Sequence, residues 1–143
     1  MTLAYLGLGS NVGDRSAHLA AARRLLAERG VMLKRGTSVE ETEPFGVPDQ
    51  RPFLNQVLEV EWSGGARDLL RVAKEVEAAV GRRPTYRWGP REIDVDILAF
   101  DDERLEEPEL VLPHPGIRER AFVQEQLREL RPELVAAILG DYR

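Results

Sequence analysis

Hydrophobic and polar positions follow two different periods along this chain, and their alternation predicts strands and helices in turn. A compact apolar run over Leu3–Leu8 ends in Gly-Ser-Asn and indicates a strand. The segments Phe53–Trp62, which alternates in its second half, and Ile93–Phe100, which is rich in β-branched residues, are also predicted strands. A weaker strand is predicted within Val31–Thr42, where a Lys-Arg-Gly sequence interrupts the pattern.

Apolar residues spaced three and four positions apart predict the helices. The first predicted helix follows Asp14, a candidate N-cap, and stops near Gly30. The clearest stripe covers Ala66–Val80, and a last helix is predicted over Arg118–Leu130, with a short helical turn over Pro132–Leu139. The resulting order, β-α-β-β-α-β, is that of the ferredoxin-like α+β fold, an antiparallel sheet with helices on one face.

Chain length and composition favour a single domain over residues 1–143. The 143 residues contain no internal repeat or linker, and 43% of them are hydrophobic, which is enough for one core. Three connections are longer than this fold requires, at Thr42–Pro52, Arg82–Glu92 and Asp101–Gly116. Long ordered connections on a small scaffold tend to carry function, so we expect functional residues there.

The composition excludes several classes of protein. The absence of cysteine rules out a disulfide framework, a thiolate zinc site and a cysteine nucleophile. A net charge of −5 argues against a sequence-independent nucleic-acid surface, so we expect no nucleic-acid partner. No apolar stretch approaches the roughly 20 residues that span a bilayer, and the N-terminus does not resemble a signal peptide. We therefore expect no membrane association and a cytoplasmic location.

Two aspartates in the last clear strand are the sharpest chemical signal. Because side chains alternate along a strand, Asp94 and Asp96 project from one face roughly 7 Å apart, and Leu98 and Phe100 are expected to follow them there. The opposite, core-facing side then consists of Ile93, Val95 and Ile97. Two like charges repel unless a cation lies between them, and Mg²⁺ is commonly held by one or two carboxylates together with substrate phosphates. The alternative is a half-exposed strand whose outer face is acidic.

A strongly basic connection precedes these aspartates. Within residues 82–92, four arginines occupy positions Arg82, Arg83, Arg87 and Arg91. The guanidinium group pairs bidentately with phosphate oxygens, so a cationic loop beside two carboxylates suits a complex of metal and polyphosphate. The structural alternative is that these arginines form ion pairs with the aspartates and with surface glutamates.

Aromatic and amide side chains are candidates for holding a planar organic ligand. Phe53 and Asn55 fall on one strand face, whereas Phe45 and Trp88 lie in the long connections. Flat rings and an amide that both donates and accepts suit a heterocycle, although each of these residues is also an ordinary core or loop anchor. His114 lies between two prolines, which suits either a phosphate contact or a ring bonded only to backbone.

A glycine-rich segment near the N-terminus approximates a dinucleotide-binding motif. The sequence Gly7-Leu8-Gly9-Ser10-Asn11-Val12-Gly13 lies between a predicted strand and a predicted helix, but its last spacing is one residue too long. The segment that follows is also not the apolar parallel strand that such a fold needs. The chain has no Gly-Lys-Ser/Thr P-loop either, so any ATP is bound in another way.

Several motifs, in order along nearly the whole chain, carry a resemblance to a known family. The most specific is Arg87-Trp88-Gly89-Pro90-Arg91-Glu92-Ile93-Asp94-Val95-Asp96-Ile97-Leu98. The others are Ala4-Tyr5-Leu6-Gly7-Leu8-Gly9-Ser10-Asn11, Phe53-Leu54-Asn55, Pro113-His114-Pro115 and Arg120-Ala121-Phe122. Together they resemble the 6-hydroxymethyl-7,8-dihydropterin pyrophosphokinase family. The resemblance implies a ferredoxin-like α+β fold, a monomer, and transfer of pyrophosphate from ATP to the hydroxymethyl group of the dihydropterin, releasing AMP, in folate biosynthesis.

The resemblance also implies roles for individual residues. Asp94 and Asp96 are expected to ligate two Mg²⁺ ions that bridge the ATP phosphates, and Arg82 and Arg91 to complete the catalytic group. The residues expected near the nucleotide are Glu77, Arg82, Arg83, Arg87, Arg91, Ile97, Leu110, His114 and Arg120. The residues expected to bind the pterin are Thr42, Glu43, Phe45, Phe53, Asn55, Trp88 and Phe122, with Phe53 and Phe122 on either side of its ring.

One position departs from the pattern of that family. Relatives often have Gly-Arg-x-Arg where this chain has Gly81-Arg82-Arg83-Pro84, so the contact of the second arginine is either lost or transferred to Arg83. The proton acceptor stays open: it is Asp96 or His114, or a metal-polarised hydroxyl needs no dedicated acceptor. Two other functions remain alternatives: a non-catalytic ferredoxin-like sensor of a small anion, and a metal-dependent nucleotidyltransferase that would release pyrophosphate instead of AMP.

Overall fold

The computed structural model describes residues 1–43, 51–81 and 92–140, and the structural statements below concern these ranges. The strands are β1 (Thr2–Ser10), β2 (Met32–Gly36), β3 (Glu40–Thr42), β4 (Phe53–Trp62), β5 (Asp94–Phe100), β6 (Leu105–Glu107) and β7 (Leu110–Leu112). The helices are α1 (Arg15–Glu28), α2 (Ala66–Val80), α3 (Gly116–Glu119), α4 (Ala121–Leu130) and α5 (Pro132–Gly140). None of the helices in the described ranges is long and apolar enough to cross a membrane.

Five of the strands form one antiparallel sheet in which β1 is central. The order is β2-β4-β1-β5, and β3 pairs with β4 beyond the end of β2. Strand β1 pairs along its whole length with β4 and, on its other side, with β5. The two short strands β6 and β7 form a separate hairpin, which the sequence analysis does not predict. The predicted antiparallel α+β fold is confirmed, whereas the single-domain organisation stays a prediction.

The first face of this sheet packs against α1 and α2. Ala4, Leu6 and Leu8 of β1 point into this first core and are at most 2% exposed. Helix α2 contributes Leu69, Val72 and Val76 of its predicted apolar stripe, together with Ala73, while Val80 of the stripe is partly buried. Each fully buried leucine or valine side chain contributes about 1.5–3 kcal/mol relative to exposure. Apolar packing on this face is therefore a large part of what stabilises the fold.

The second face of the sheet is covered in part by α3, α4 and α5. Tyr5, Val57 and Leu98 lie on this face and belong to a second core with Leu127 of α4 and Val135 of α5. The sequence predicts helices on one face, and α1 and α2 occupy that face. The C-terminal helices add a further layer on the other side. Where this layer ends, the second face of the sheet is left open.

A partly buried polar network ties the C-terminal helices to the sheet. The Tyr5 hydroxyl donates to Glu59 Oε2 at 2.6 Å, and Arg35 donates to both carboxylate oxygens of Glu59 at 3.0 and 3.1 Å. Arg35 also donates to the carbonyl oxygen of Leu130, at the end of α4, at 2.6 Å. The Arg35 guanidinium holds the pKa of the Glu59 carboxyl below its usual value, and burial raises the pKa of Tyr5. At neutral pH the network therefore contains a charged glutamate and a neutral tyrosine.

Two predicted elements are divided in the structure. Val31–Thr42 forms β2 and β3 instead of one strand, and Thr37 lies between them. The Thr37 N–H donates to the Val57 carbonyl oxygen at 2.9 Å, and the Thr37 hydroxyl accepts from the Val57 N–H at 3.0 Å. Thr37 therefore satisfies the Val57 backbone groups that a paired strand would otherwise satisfy. Arg118–Leu130 forms α3 and α4 because Arg120 has an extended backbone, with φ −126° and ψ 113°.

A register shift in β5 overturns one predicted side-chain position. Pairing between β1 and β5 shifts at Tyr5 and Leu6, and Leu98 is the extra residue. Leu98 stays on the second face with the two aspartates, but Phe100 is buried in the first core, so its predicted position beside the aspartates is wrong. An extra residue in a strand moves every following side chain to the other face, which alternation alone does not foresee.

Candidate active site

A cleft of about 410 Å³ opens where the C-terminal helices leave the second face of the sheet uncovered. Its lining comes from β1, β4 and β5, from the end of β3, and from the segment that leads through α3 into α4. A volume of this size is in the range of pockets that bind small organic molecules. The cleft therefore suits one or two small substrates.

Two glycines of the central strand form the floor of this cleft. Gly9 lies opposite Asn55 of β4 on one side and opposite Asp94 of β5 on the other, and Gly7 lies opposite Asp96. A methyl group on Gly9 would come within 3.1 Å of Asn55 Oδ1. Because these positions have no side chain, a flat ligand can lie against the backbone. Adjacent strands are about 5 Å apart, so the amide and the carboxylates belong to strands about 10 Å apart.

The carboxylate wall of the cleft is the second face of β5. Asp94 and Asp96 both line the cleft, while Val95 between them points into the first core. The Val95 N–H donates to the carboxylate of Glu77, which is buried on α2, at 2.8 Å. Further along the strand, the His114 N–H donates to a carbonyl oxygen of β5 at 2.8 Å. These two bonds fix the backbone of the edge strand, and with it the direction in which the aspartates point.

The opposite wall of the cleft is aromatic and amidic. Phe53 and Asn55 lie together on the cleft face of β4, as their spacing predicts, and Phe122 lines the cleft from α4. The Asn55 amide donates to the Thr42 hydroxyl of β3, while Asn55 Oδ1 lies beside the glycine floor. Gln126, one turn after Phe122, donates to the main-chain carbonyl oxygen of Asn55 at 3.1 Å. Ring faces and amide atoms of this kind recognise planar heterocycles.

The start of β4 is fastened to the connection between β1 and α1. Arg15 donates to the Pro52 carbonyl oxygen at 2.8 Å and forms an ion pair with Glu41 of β3 at 2.9 Å. Asn11 donates to the Arg51 carbonyl oxygen at 3.1 Å, and Arg51 donates back to a glycine carbonyl of that connection at 2.9 Å. These contacts join the ends of β3 and β4, which carry the aromatic wall, to the segment between β1 and α1 and to the first residue of α1.

The imidazole of His114 lines the cleft in a defined tautomer. The Gly116 N–H donates to His114 Nδ1 at 2.9 Å. A ring nitrogen that accepts a hydrogen bond carries no proton, so the neutral ring is protonated at Nε2 and offers that atom as a donor. A methyl group on Gly116 would come within 2.9 Å of Nδ1, so a larger residue there would displace the ring.

The described part of the cleft lining has more acidic than basic side chains. Its carboxylates belong to Glu43, Asp94, Asp96 and Glu119, and its cations to Lys74 and Arg120. Within the described ranges, no group of three His, Asp or Glu side chains could hold a metal ion by itself. Two carboxylates on one strand face suit a metal that completes its shell with phosphate oxygens, as Mg²⁺ does.

The structure brings many of the predicted site residues together. Those that line the cleft are Thr42, Glu43, Phe53, Asn55, Asp94, Asp96, His114, Arg120 and Phe122. Three others do not line it: Glu77 is buried against the backbone of β5, and Ile97 and Leu110 lie in the first core. The predicted site residues Phe45, Arg82, Arg83, Arg87, Trp88 and Arg91 lie outside the described residues.

Several lining residues are not among the predicted site residues, and they include the two floor glycines, Lys74 and Gln126. The glycines lie in the segment that approximates a dinucleotide motif, and their signal is the i, i+2 spacing that puts both on one strand face. Gln126 is a polar residue among the apolar positions of the last helix, which indicates a buried hydrogen bond. Lys74 occupies an ordinary exposed position of α2 and gives no such signal.

A cleft that places aromatic and amide side chains opposite two carboxylates suits an enzyme that acts on small molecules. The profile of the family described as 7,8-dihydro-6-hydroxymethylpterin-pyrophosphokinase matches residues 5–132. The chain belongs to this family, and the family and function that its motifs predict are confirmed.

Named relatives and a solved structure agree with this result. A 2-amino-4-hydroxy-6-hydroxymethyldihydropteridine pyrophosphokinase of Methylorubrum extorquens is 45% identical over 136 residues, which cover 94% of this chain and 86% of the relative. The protein of the same name in Bacillus subtilis is 41% identical over 129 residues, covering 90% and 77%. A crystal structure of Plasmodium falciparum HPPK-DHPS has a TM-score of 0.67 at 16% identity, covers 93% of this chain and 40% of that one, and supports the fold.

Proposed function

We propose that this chain carries out the pyrophosphokinase reaction of its family with Mg²⁺, holding the pterin at β4 and the ATP phosphates at β5. The reaction transfers pyrophosphate from ATP to the hydroxymethyl oxygen of 6-hydroxymethyl-7,8-dihydropterin and releases AMP. The observation that carries the proposal is the pairing register, which sets Asn55 and Asp94 on either side of Gly9 in one cleft. The two substrates would therefore meet over one strand that has no side chains in the way.

The aromatic wall is suited to the pterin. Phe53 and Phe122 come from different elements and would stack on the two faces of the ring. Asn55 Oδ1 would accept a hydrogen bond from the edge of the pterin ring, and the main chain at Thr42 would donate one to it. That edge carries N–H and carbonyl groups in alternation. Glu43 lines the same wall and is a further acceptor. Phe45 and Trp88 are proposed to complete this pocket.

The carboxylate wall is suited to metal-bound phosphates. Asp94 and Asp96 would hold Mg²⁺, for which carboxylate oxygens are preferred ligands, and two ions are expected. Bound Mg²⁺ supplies neutralisation of the negative charge on the phosphates. Arg82 and Arg91 are proposed to bind the same phosphates bidentately, because the described lining is itself acidic and cannot hold a polyanion alone. Arg83, Arg87 and Arg120 are proposed as further nucleotide contacts.

Three predicted nucleotide residues do not contact the nucleotide through their side chains in this proposal. The Ile97 and Leu110 side chains are buried in the first core, so any contact of theirs with the nucleotide would come from main-chain atoms. Glu77 is bonded to the Val95 N–H and would position the two neighbouring aspartates instead of touching ATP. This gives Glu77 a role that its position in the sequence does not reveal.

His114 is proposed to donate to a phosphate oxygen, and Asp96 to accept the substrate proton. In the neutral ring Nε2 already carries a proton, because Nδ1 accepts from Gly116. During transfer, the hydroxymethyl oxygen bonds to the β-phosphorus, the bond from that phosphorus to the oxygen of AMP breaks, and the hydroxyl proton leaves. Positioning of the two substrates in line would supply most of the rate.

The proposal includes a monomer that works in the cytoplasm on two small molecules. The monomeric state is the one that the resemblance to the family implies. The acidic net charge supports the prediction that nucleic acid is not a partner.

The identity of the released nucleotide tests the reaction. The protein is incubated with ATP, MgCl₂ and 6-hydroxymethyl-7,8-dihydropterin, and we expect AMP and pterin pyrophosphate in equal amounts, with no AMP when the pterin is omitted. Release of pyrophosphate would indicate a nucleotidyltransferase, and ligand binding without turnover would indicate a sensor; either result contradicts the proposal. Full activity in excess chelator would contradict its Mg²⁺-dependent part.

A further inference from the structure

A buried glutamine on α4 is bonded to the strand that carries the aromatic wall. Gln126 is only 1% exposed, although it lines the cleft. Its Nε2 donates to the main-chain carbonyl oxygen of Asn55 at 3.1 Å, across a separation of 71 residues. The other buried positions of this helix are apolar, namely Val123, Leu127 and Leu130. A polar side chain in this position is costly unless its hydrogen bond is made, so the bond accounts for the residue.

Gln126 is placed between the elements that carry the two phenylalanine rings of the described cleft lining, Phe53 and Phe122. Phe122 is four residues earlier on α4 and therefore lies on the same face of the helix. Phe53 is two residues before Asn55 and therefore lies on the same face of β4. The single bond from Gln126 to Asn55 thus connects the helix that carries one ring to the strand that carries the other.

We infer that Gln126 is a positioning residue for the pterin, which fixes the spacing between Phe53 and Phe122 through its bond to the Asn55 carbonyl oxygen. This inference rests on the proposed function, since it assigns the space between these rings to the pterin. Gln126 does not need to touch the substrate to act in this way. Arg35 still holds the end of α4 at Leu130, but removal of the Gln126 bond lets the part of α4 that carries Phe122 move relative to β4, and the pocket loses the defined width that a flat ring requires.

The carboxylate wall is held independently of this bond. Asp94 and Asp96 belong to β5, whose backbone is bonded to Glu77 of α2 and to His114. Neither bond involves α4 or β4. Loss of the Gln126 bond should therefore weaken the pterin half of the site and leave the carboxylates of β5 unchanged.

The test compares two amide side chains of the same helix. Gln126→Met removes the bond to Asn55 while keeping a side chain of similar length. Gln124→Met is the matched control, because Gln124 Nε2 donates to the Ile117 carbonyl oxygen of α3 at 2.9 Å and not to the sheet. For Gln126→Met we expect the KM for the pterin to rise roughly fivefold, as for the loss of one hydrogen bond, with the KM for ATP unchanged. For Gln124→Met we expect neither KM to change.

Three results would overturn the inference. They are an unchanged pterin KM in Gln126→Met, an equal rise in the pterin KM in both variants, and a rise in the ATP KM as large as that in the pterin KM. The last two would mean that α4 merely stabilises the fold.

Protonation of the substituted side chain in Gln126→Glu gives a second test, because a purely structural role would not make the effect on the pterin KM depend on pH. In Gln126→Glu, an ionised carboxylate cannot donate and repels the Asn55 carbonyl oxygen, whereas a protonated carboxyl can donate to it. The pterin KM of this variant, divided by that of the wild type at the same pH, should fall as the pH is lowered from 8 to 5. A ratio independent of pH would contradict the inference.

Measurements on the wild type distinguish failure of this inference from failure of the proposed function. If the wild type releases no AMP, the proposed function fails, and calorimetric titration with 6-hydroxymethylpterin then compares binding to wild type and Gln126→Met directly. Weaker binding to the variant alone supports the positioning role without any turnover. If the wild type is active but the variant binds and turns over the pterin normally, only the role of Gln126 is refuted.

Discussion

The first face of the sheet and the open part of its second face separate stability from chemistry in this protein. On the face covered by α1 and α2, the central strands contribute apolar side chains such as Leu6 and Val95. On the other face, the same strands contribute Gly9, Asn55 and Asp94, which line the cleft. Alternation along a strand permits this division, because neighbouring residues point to opposite faces. The fold can therefore place a glycine or a charge in the site without removing a side chain from the first core.

The comparison also explains why the C-terminal helices cover only part of the second face. The network of Tyr5, Glu59 and Arg35 fixes the end of α4 over one half of the sheet. The other half is left for substrates. Substitutions on the first face should thus change stability, and substitutions in the cleft should change activity.

The largest effect is expected at the carboxylate wall. Asp96→Asn should lower kcat about a thousandfold, equivalent to about 4 kcal/mol, because a neutral amide holds Mg²⁺ and accepts a proton poorly. The melting temperature should hardly change, since Asp96 lines the cleft and not the core. AMP release at saturating substrates and thermal unfolding measure both quantities. Asp102→Asn, on the exposed turn after β5, is the control and should keep full activity. Wild-type turnover in Asp96→Asn would refute the metal assignment.

The next largest effect is expected in the first core. Leu69→Ala on α2 should lower the free energy of unfolding by about 3 kcal/mol, because Leu69 is fully buried and its truncation leaves a cavity. At 25 °C the folded fraction should retain the wild-type kcat. Denaturant unfolding and AMP release check the two statements. A kcat that falls tenfold in the folded variant would show that the two faces are coupled and would contradict the division.

A smaller effect is expected at the glycine floor. Gly9→Ala should raise the KM for the pterin roughly tenfold, because the added methyl lies 3.1 Å from Asn55 Oδ1 and occupies the space of a flat ligand. Gly65→Ala is the matched control, since a methyl there has no neighbour within 4 Å. Steady-state kinetics with both substrates measures the change. The interpretation of Gly9 as the floor is wrong if the two variants behave alike.

The smallest effect is expected from Glu59, which holds the C-terminal helices on the second face. Its pKa is lowered in the folded state by Arg35, so its stabilisation is present above the usual glutamate value of about 4.5 and is lost as the pH falls through the lowered value. Between neutral pH and strongly acidic pH, the wild type should lose about 1 kcal/mol more of its unfolding free energy than Glu59→Gln does. Denaturant unfolding at several pH values tests this, and parallel pH profiles would contradict it.

Much of the fold is predictable from local patterns, as two elements show. Phe53–Trp62 and Ala66–Val80 have the bounds that their patterns predict, since each has a clear period and a terminating residue. Asp14 caps α1 as predicted, with Oδ1 accepting from the Ala17 N–H at 3.0 Å. The β6–β7 hairpin is missed because strands of three residues are too short to show alternation.

Positions in the site are predictable where they depend on alternation along a strand. Prediction fails where they depend on tertiary contacts. The shared face of Asp94 and Asp96 follows from their spacing, whereas the position of Phe100 depends on a bulge set by pairing with β1. The bonds of Glu77 to β5 and of Gln126 to β4 join elements that are far apart in sequence. No local pattern encodes such contacts, so only the folded chain reveals them.

A crystal grown with Mn²⁺, a non-hydrolysable ATP analogue and the dihydropterin would show where the metal, the phosphates and the pterin bind. The account predicts anomalous scattering from metal at the Asp94 and Asp96 carboxylates, with the phosphates beside β5 and a flat ring between Phe53 and Phe122. Substrates bound with no metal at these carboxylates, or a ring lying anywhere other than over Gly9, would contradict it.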